Sequence, residues 1–489
     1  MKRSISLLLL LFVSGSCSKY LDTTPDLRTE ITDAAGVAEL LSSAYPRANY
    51  IVFAEAASDN AQDKGSAVGN IVPVNFHPWR YSIIENRQED SPEFYWHACY
   101  RAIAAANQAL AAIDNLGAGP AYASLRGEAL VARAYAHFML VTFFASPYNV
   151  LTAASDPGIP YVTAPEESVI SPYDRGTVAT VYEAIEADLT AGIPLIDDRR
   201  YRVPKYHFTQ AAAHAFAARF YLFKQEWALV IAHANQVYAS DISQHIITHN
   251  SAFFRSLEYG ARSAFYSSPI NTGSILQVEA QTLWARNFAS YRYGLSSDLL
   301  SELFYSGNVT GGSFAYSIYG GTELVYNIPK FVEHFVRESV NATQGRPFNM
   351  LVLFSADELL MNRAEAYANL GNHTEAIADL NAFASAKIYV SQNNPVYLPD
   401  VHQINEQKLS AFYNSRSLSE NIVQAVLDFK RREFIFEGIR WFDILRHRLP
   451  VTHRSYDQQE VYFLGPNDNR RMFQLPGEVV LSGVQQNPR

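Results

Sequence analysis

The chain has 489 residues, 48% hydrophobic, 18% charged and 13% aromatic, with a formal charge of −9 at pH 7. These are the shares of an ordinary folded chain with ample core, and they exclude a low-complexity or disordered protein. No basic run occurs outside one stretch near residue 431, which argues against a nucleic-acid partner and against acidic polymers, since both need a clustered positive face.

Residues 1–16 read as a targeting segment. Lys2 and Arg3 precede an apolar run from Ile5 to Val13, broken only by Ser6, and the small residues Ser14, Gly15 and Ser16 lead to Cys17. The run is far short of the ~20 residues that span a bilayer, so it is a signal and not an anchor. Cys17 after those small residues resembles a bacterial lipobox, in which it is lipidated and becomes the first mature residue. More than one acyl chain, at roughly 0.8 kcal/mol per buried methylene, gives stable anchoring. The alternative is plain secretion with cleavage nearby. Only Cys99 remains in the mature chain, so no intramolecular disulfide forms there, and its apolar helical setting predicts a buried, inert thiol.

Helices announce themselves by their starts. Ser91-Pro92-Glu93 supplies an N-cap, a first-turn proline and an acidic residue before an alanine-rich run to about Leu116, stopped by Gly117. Further helices are predicted from Ala121 to about Ala145, Thr177 to Ala191, His207 to Lys224 and Glu226 to Ser240, the last two a tight pair joined at Gln225. Alanines at 211, 212, 213, 215, 217 and 218 let a neighbour approach closely. Ser355 to Leu370 and Asn372 to Ala386 repeat the pattern across Gly371, and Ser355 with Glu358 and Asn372 with Glu375 read as two capping boxes. Helix pairs without a strict period predict an all-α, tetratricopeptide-like array of about four irregular pairs.

Two aromatic-rich regions interrupt the array. Tyr50 to Glu89 contains Asp59, Trp79, Arg80 and Tyr81, and His249 to Phe348 contains Trp284, Arg286, Tyr291, Tyr293, Tyr305, Tyr316 and Tyr319. Irregular stretches this long are functional or disordered, and the aromatic content argues against disorder.

Near the C-terminus, Arg431 to Arg446 reads RREFIFEGIRWFDILR. The pattern predicts a helix from about Ser419 through Glu437, ended by Gly438, and a short helix through Trp441 and Leu445. Apolar positions are too many for one stripe, so both helices are buried. The charges Arg431, Arg432, Glu433, Glu437, Arg440, Asp443 and Arg446 must then be paired, and together they are able to supply partners to one another.

This stretch resembles the arginine-rich Glu-Gly-x-Arg-Trp-x-Asp signature of the SusD/RagB family. Other motifs follow the family's order: Cys17-Ser18-Lys19-Tyr20-Leu21-Asp22, Gly127-Glu128-Ala129 with Arg133-Ala134-Tyr135, Gly158-Ile159-Pro160-Tyr161-Val162, Gln474-Leu475-Pro476-Gly477-Glu478 and the closing Asn487-Pro488. The resemblance runs from Cys17 to the last residues. It implies a SusD-like helical protein, lipid-anchored at the outer membrane and facing the cell exterior, with residues 17–250 as an N-terminal helical region, 251–350 as a loop-rich ligand region and 351–489 as the C-terminal region. Such a protein captures an oligosaccharide nutrient and delivers it to a SusC-like TonB-dependent transporter, as that barrel's extracellular lid, with no chemistry on the ligand and no cofactor. Peptide is the alternative ligand, as for RagB-like members.

Two other classes remain open. A glycoside hydrolase would need a general acid and base among Glu433, Glu437 and Asp443, but neighbouring arginines hold carboxylates ionised, whereas a general acid needs a raised pKa. A structural ion-pair network is the better reading of that stretch. A helical scaffold binding only proteins is the third class. No metal site is expected, since His245 and His249 alone have i, i+4 spacing in a possible helix. No phosphate loop, dinucleotide fingerprint or nucleophile elbow occurs. A sugar presents an apolar face and a rim of hydroxyls, so flat aromatics with donors beside them suit it. The candidate ligand residues are therefore Asp59, Trp79, Arg80, Tyr81, Trp284, Arg286, Tyr291, Tyr293, Tyr316 and Tyr319.

Overall fold

The computed structural model describes residues 31–489 except 69–70, 85–86, 167–171, 322–324, 338, 340–341 and 415–416. The signal segment and Cys17 lie outside the described residues. The first half is helical: α1 (Ala34–Leu41), α2 (Ile51–Ala57), α3 (Pro73–Trp79), α4 (Pro92–Asn115), α5 (Ala123–Phe144), α6 (Val178–Gly192), α7 (Gln210–Lys224) and α8 (Trp227–Ala234). Caps explain the starts. Ser91, Thr177 and Thr209 each accept a backbone N–H three residues on, at 3.1–3.2 Å. Helix α5 is the axis of this half, with every residue from Val131 to Ala145 buried. A helix apolar all round belongs inside, and α5 packs against both α4 and α6. A side chain at Gly127 would meet the Gly192 carbonyl at 2.7 Å, so α5 and α6 approach backbone to backbone through that glycine.

The prediction for α8 overshoots. The helix stops at Ala234, because Val237 and Ile242 turn inward to the core and Asn235 accepts a hydrogen bond from Arg363 at 2.8 Å.

The second aromatic region contains a sheet that the sequence did not announce. Strands β1 (Ser274–Gln281), β2 (Glu333–Arg337) and β3 (Gly345–Ser355) pair antiparallel in the order β1-β3-β2. Ser274 to Val278 are all buried, so β1 lacks the alternation that marks a half-buried strand. Strand β3 runs directly into α9 (Ala356–Asn369), with Ser355 both its last residue and the cap of the helix. Only half of a capping box forms there, since the Glu358 carboxylate pairs instead with buried Arg219, whose Nε donates at 2.7 Å. Asn372 does not cap α10 (His373–Lys387) through its side chain.

Helix α11 (Leu418–Glu433) starts at a complete box between Ser417 and Glu420 and ends four residues short of the predicted stop. Phe434 to Gly438 form a turn with Phe436 at φ +70° and Gly438 at φ +72°, before α12 (Ile439–Arg446). A side chain on Gly438 would press within 3.2 Å of the Ile51 Cα, so the glycine admits α2. Helices pair as α4 with α5, α7 with α8 and α9 with α10, and α9 also packs on α8 and α11. The chain is thus mostly helical, in a tetratricopeptide-like arrangement. Among the described residues no helix is long and apolar enough to cross a membrane. Cys99 is free and buried, and burial pushes its thiol up.

Candidate functional site

The charges of the 431–446 stretch are buried or half-buried, and each has a partner. Arg440 makes a bidentate pair with Asp59 at 2.8 Å through both nitrogens, and Arg446 does the same with Glu365. Arg431 reaches Glu302 at 2.8 Å and the Asp59 carbonyl, while Arg432 donates to the carbonyls of Leu303 and Asp428. Glu433 meets Lys387 at 3.0 Å and accepts the Tyr316 hydroxyl at 2.6 Å; Glu437 meets Lys330 and the Tyr266 hydroxyl, both at 2.5 Å. Asp443 sits between Lys430 and Arg446. Only Asp443 and Arg446 pair within the stretch, so most partners come from elsewhere in the chain. Local spacing could not reveal them.

Those contacts set the electrostatics. Burial pushes the Asp59 carboxyl up, but Arg440 and Arg431 outweigh it and hold the group down at about 2. Glu433 is likewise held well below its usual range, burial being outweighed by Lys387 and by His249, whereas burial lifts Glu437 despite Lys330. Both glutamates are enclosed by lysine and tyrosine groups. Their bonds fix α11 and the following turn to the 249–330 segment.

Of the sequence-predicted ligand residues, the structure brings Trp79, Arg80, Tyr81 and Tyr293 together. Trp79 is 1% exposed and lies between Tyr293, 4.3 Å away, and His453, 5.1 Å away, and His453 in turn stacks on Tyr81 at 5.3 Å. This four-ring stack is fastened by donors: Trp79 Nε1 donates to the Ala61 carbonyl at 3.1 Å and the Tyr81 hydroxyl to that of Ala57 at 3.0 Å. Arg80 is half-buried across Phe76 and Tyr462 and pairs with Glu460. Asp59 is tied to Arg440, and the carbonyl of its neighbour Ser58 meets His453 Nε2 of the stack at 2.9 Å. Trp284 and Tyr291 belong to a separate buried cluster with Phe288, and Trp284 Nε1 donates to the Phe436 carbonyl at 3.1 Å. Arg286 is exposed above them and pairs with Glu333 at 2.6 Å.

Tyr316 and Tyr319 line a different place, an open cleft of about 390 Å³ with Tyr305, Tyr389, Arg255 and Gln392. Tyr316 is buried in its wall. Tyr319 is half-buried and meets Tyr259 edge-on at 5.1 Å. Tyr305 ends a π-helical turn over Ser301–Tyr305 and is 70% exposed; such turns are frequent at functional sites. Arg255, Tyr389 and Gln392 escaped the sequence reading. Tyr389 and Gln392 join the cleft because Ser313 and Phe314 pair with Tyr389 and Ile388 in a short ladder, a long-range contact with no local signal, and Arg255 donates to the Gln392 carbonyl at 3.4 Å.

His245 and His249 do not converge. His245 stacks on Tyr238 at 3.9 Å, and His249 lies 3.4 Å from Glu433. Among the described residues, Glu93, His97 and Glu478 bring ligand atoms within 4.8 Å of one another, but the Arg87 guanidinium already bridges both carboxylates at 2.7 and 2.8 Å.

Two family models match the chain. Residues 19–222 match a SusD-like family model described as starch-binding and associating with the outer membrane, and residues 306–476 match the SusD family model, SusD/RagB. A SusD-like protein of Formosa agariphila is 29% identical over 107 residues, 22% of this chain and 19% of that protein, so the match spans about a fifth of the relative. The fold is similar to a SusD superfamily protein from Bacteroides thetaiotaomicron, at TM-score 0.66 and 18% identity, covering 93% of this chain and 98% of that one. It is also similar to a SusD-like carbohydrate binding protein from Bacteroides vulgatus, at TM-score 0.62 and 16% identity, covering 92% and 96%. With its signature turn built as described and both ends of the chain matched, the protein belongs to the SusD/RagB family.

Proposed function

We propose that this protein is a lipid-anchored binding subunit of the outer membrane that captures an oligosaccharide and delivers it to a SusC-like TonB-dependent transporter, without altering it. The observation that carries the ligand class is Tyr305, a ring 70% exposed at the end of a π turn, in a cleft that also offers Tyr319, Arg255 and Gln392. A sugar ring lies on such a tyrosine while guanidinium and amide groups bond its hydroxyl rim. Likeness to a carbohydrate binding protein of the same fold supports this reading. Delivery, anchoring through Cys17 and an outward orientation rest on the family.

The test is calorimetry of the chain from Ser18 onward against neutral glycans, acidic glycans and peptides, with mass spectrometry of the recovered ligand. An intact glycan bound by the protein, and bound about tenfold more weakly by Tyr305→Ala, is the expected result. Binding of peptides alone would replace glycan by peptide, turnover would make the protein an enzyme, and silence across the panel would leave a protein-binding scaffold.

A further inference from the structure

The three-stranded sheet has two edges, and they are finished differently. Along β1, the Gln281 N–H donates to the Arg47 carbonyl at 3.1 Å, so neighbouring chain covers part of that edge. Along β2, among the described residues, no backbone group from outside the sheet bonds the strand. The direction of its free groups follows from the register. The Pro347 carbonyl accepts the Thr282 N–H at 3.2 Å, so residue 347 bonds towards β1. Its neighbours Arg346 and Phe348 therefore bond towards β2, where they oppose Val336 and His334. Bonding direction alternates along a strand, which leaves the N–H and C=O of Glu333, Phe335 and Arg337 facing away from the sheet. Such an edge is a template for another strand. The register with β3 runs without a bulge, and Glu333 to Arg337 holds neither proline nor lysine, the usual means of blunting an edge.

The same three residues put their side chains on one face of the sheet. Phe335 is 60% exposed, with the Arg286 guanidinium 5.9 Å from its ring centre. Glu333 holds Arg286 through one oxygen at 2.6 Å, and its other oxygen has no hydrogen-bond partner. Arg337 is exposed, and among the described residues no carboxylate engages it. The triplet is complementary to itself. Turned end for end about Phe335, Glu333 meets Arg337, Phe335 meets Phe335 and Arg337 meets Glu333. Opposite charges and paired aromatic rings are favourable cross-strand neighbours. A contact on a two-fold axis requires this self-complementarity, because both partners offer the same patch.

We infer that β2 pairs antiparallel with β2 of a second copy of this chain, on a two-fold axis through Phe335, joining the two sheets into one of six strands. The contact is short, so the pairing is weak in solution. Copies tethered to one membrane meet at a raised effective concentration; that consequence rests on the anchoring reading, whereas the pairing rests on the strand alone.

The experiment is sedimentation velocity of the chain from Ser18 onward between roughly 10 µM and 1 mM, with oxidative cross-linking of variants. A monomer–dimer equilibrium within that range is expected. Arg337→Glu should weaken it about tenfold, since both symmetric charge pairs turn repulsive. Phe335→Cys sets two thiols on the axis, at the ~5.5 Å Cα separation of a hydrogen-bonded pair and within disulfide reach, so oxidation should give a covalent dimer. The remaining cysteine, Cys99, is buried and does not compete. Arg337→Cys lies four residues out of register with its own copy and should not cross-link to itself, but should cross-link to Glu333→Cys when the two are mixed. A monomer throughout the range, a dimer indifferent to Arg337→Glu, or Arg337→Cys joining itself as readily as Phe335→Cys does would each overturn the assignment.

Discussion

The carboxylate of Glu55 accepts the backbone N–H of Gly438 at 3.1 Å, and its other oxygen accepts that of Phe436 at 2.8 Å. One buried side chain from α2 thus satisfies the amides of the left-handed turn between α11 and α12. The glycine at 438 admits the helix that carries it. Neither residue makes sense without the other, although the chain places them far apart.

Buried carboxylates of this kind give folding a pH dependence, and Asp90 tests it. It accepts the Thr282 hydroxyl at 2.5 Å and the Leu283 N–H at 3.1 Å, and burial lifts it to about 7. In the unfolded chain it ionises near ~3.9. Between those values the unfolded state releases a proton that the folded state keeps, so this contribution is full below about pH 4, falls as pH rises and levels off above about pH 7. Asp90→Asn should remove on the order of 4 kcal/mol of that pH-dependent difference and suits the backbone at φ +70°. Urea unfolding at a series of pH values reads it; curves for the two proteins that stay parallel would refute the assignment.

The Arg446–Glu365 pair predicts a large loss from a single change. The Glu365 side chain is fully buried and, burial notwithstanding, is held well below its usual range by Arg446 and His447. Arg446→Met strands that charge and should cost about 3–5 kcal/mol in urea unfolding. Adding Glu365→Gln should recover part of it, and equal losses in the single and double variants would show that packing of the arginine stem matters more than its charge.

Trp79→Ala should behave as a core truncation, losing about 3–5 kcal/mol, because the ring is enclosed by Tyr293, His453 and Tyr462. Tyr305→Ala should stay within about 0.5 kcal/mol. Thermal melts of both variants decide whether Trp79 supports the protein or touches ligand directly.

For anchoring, Cys17→Ser should move the protein from the membrane fraction to the soluble fraction of expressing cells. Retention in membranes after the substitution would mean that something other than an acyl chain holds it.

Caps and glycines made the helices legible. Ser91, Thr177, Ser355 and Gly438 each mark a boundary through local chemistry that any reader of the chain sees. Helix ends set by tertiary pull were not legible: α8 stops early because Val237 and Ile242 are drawn to the core, and α11 because Glu55 captures the amides that follow it. Strand β1 hid because buried residues on both faces erase its period. The rings at 79 and 293 could be singled out by type, yet sequence cannot tell a tryptophan that faces solvent from one stacked on a histidine 374 positions away. The Tyr305 cleft needed the ladder to Tyr389, which no local pattern encodes.

The Glu55 contact also has a bearing on biogenesis. A nascent chain carries Glu55 for some 380 residues of synthesis before its amide partners exist, and a buried carboxylate without them opposes closure. Long-range contacts of this sort delay folding until the chain is complete. An N-terminal fragment ending before Phe436 should therefore remain open and protease-sensitive.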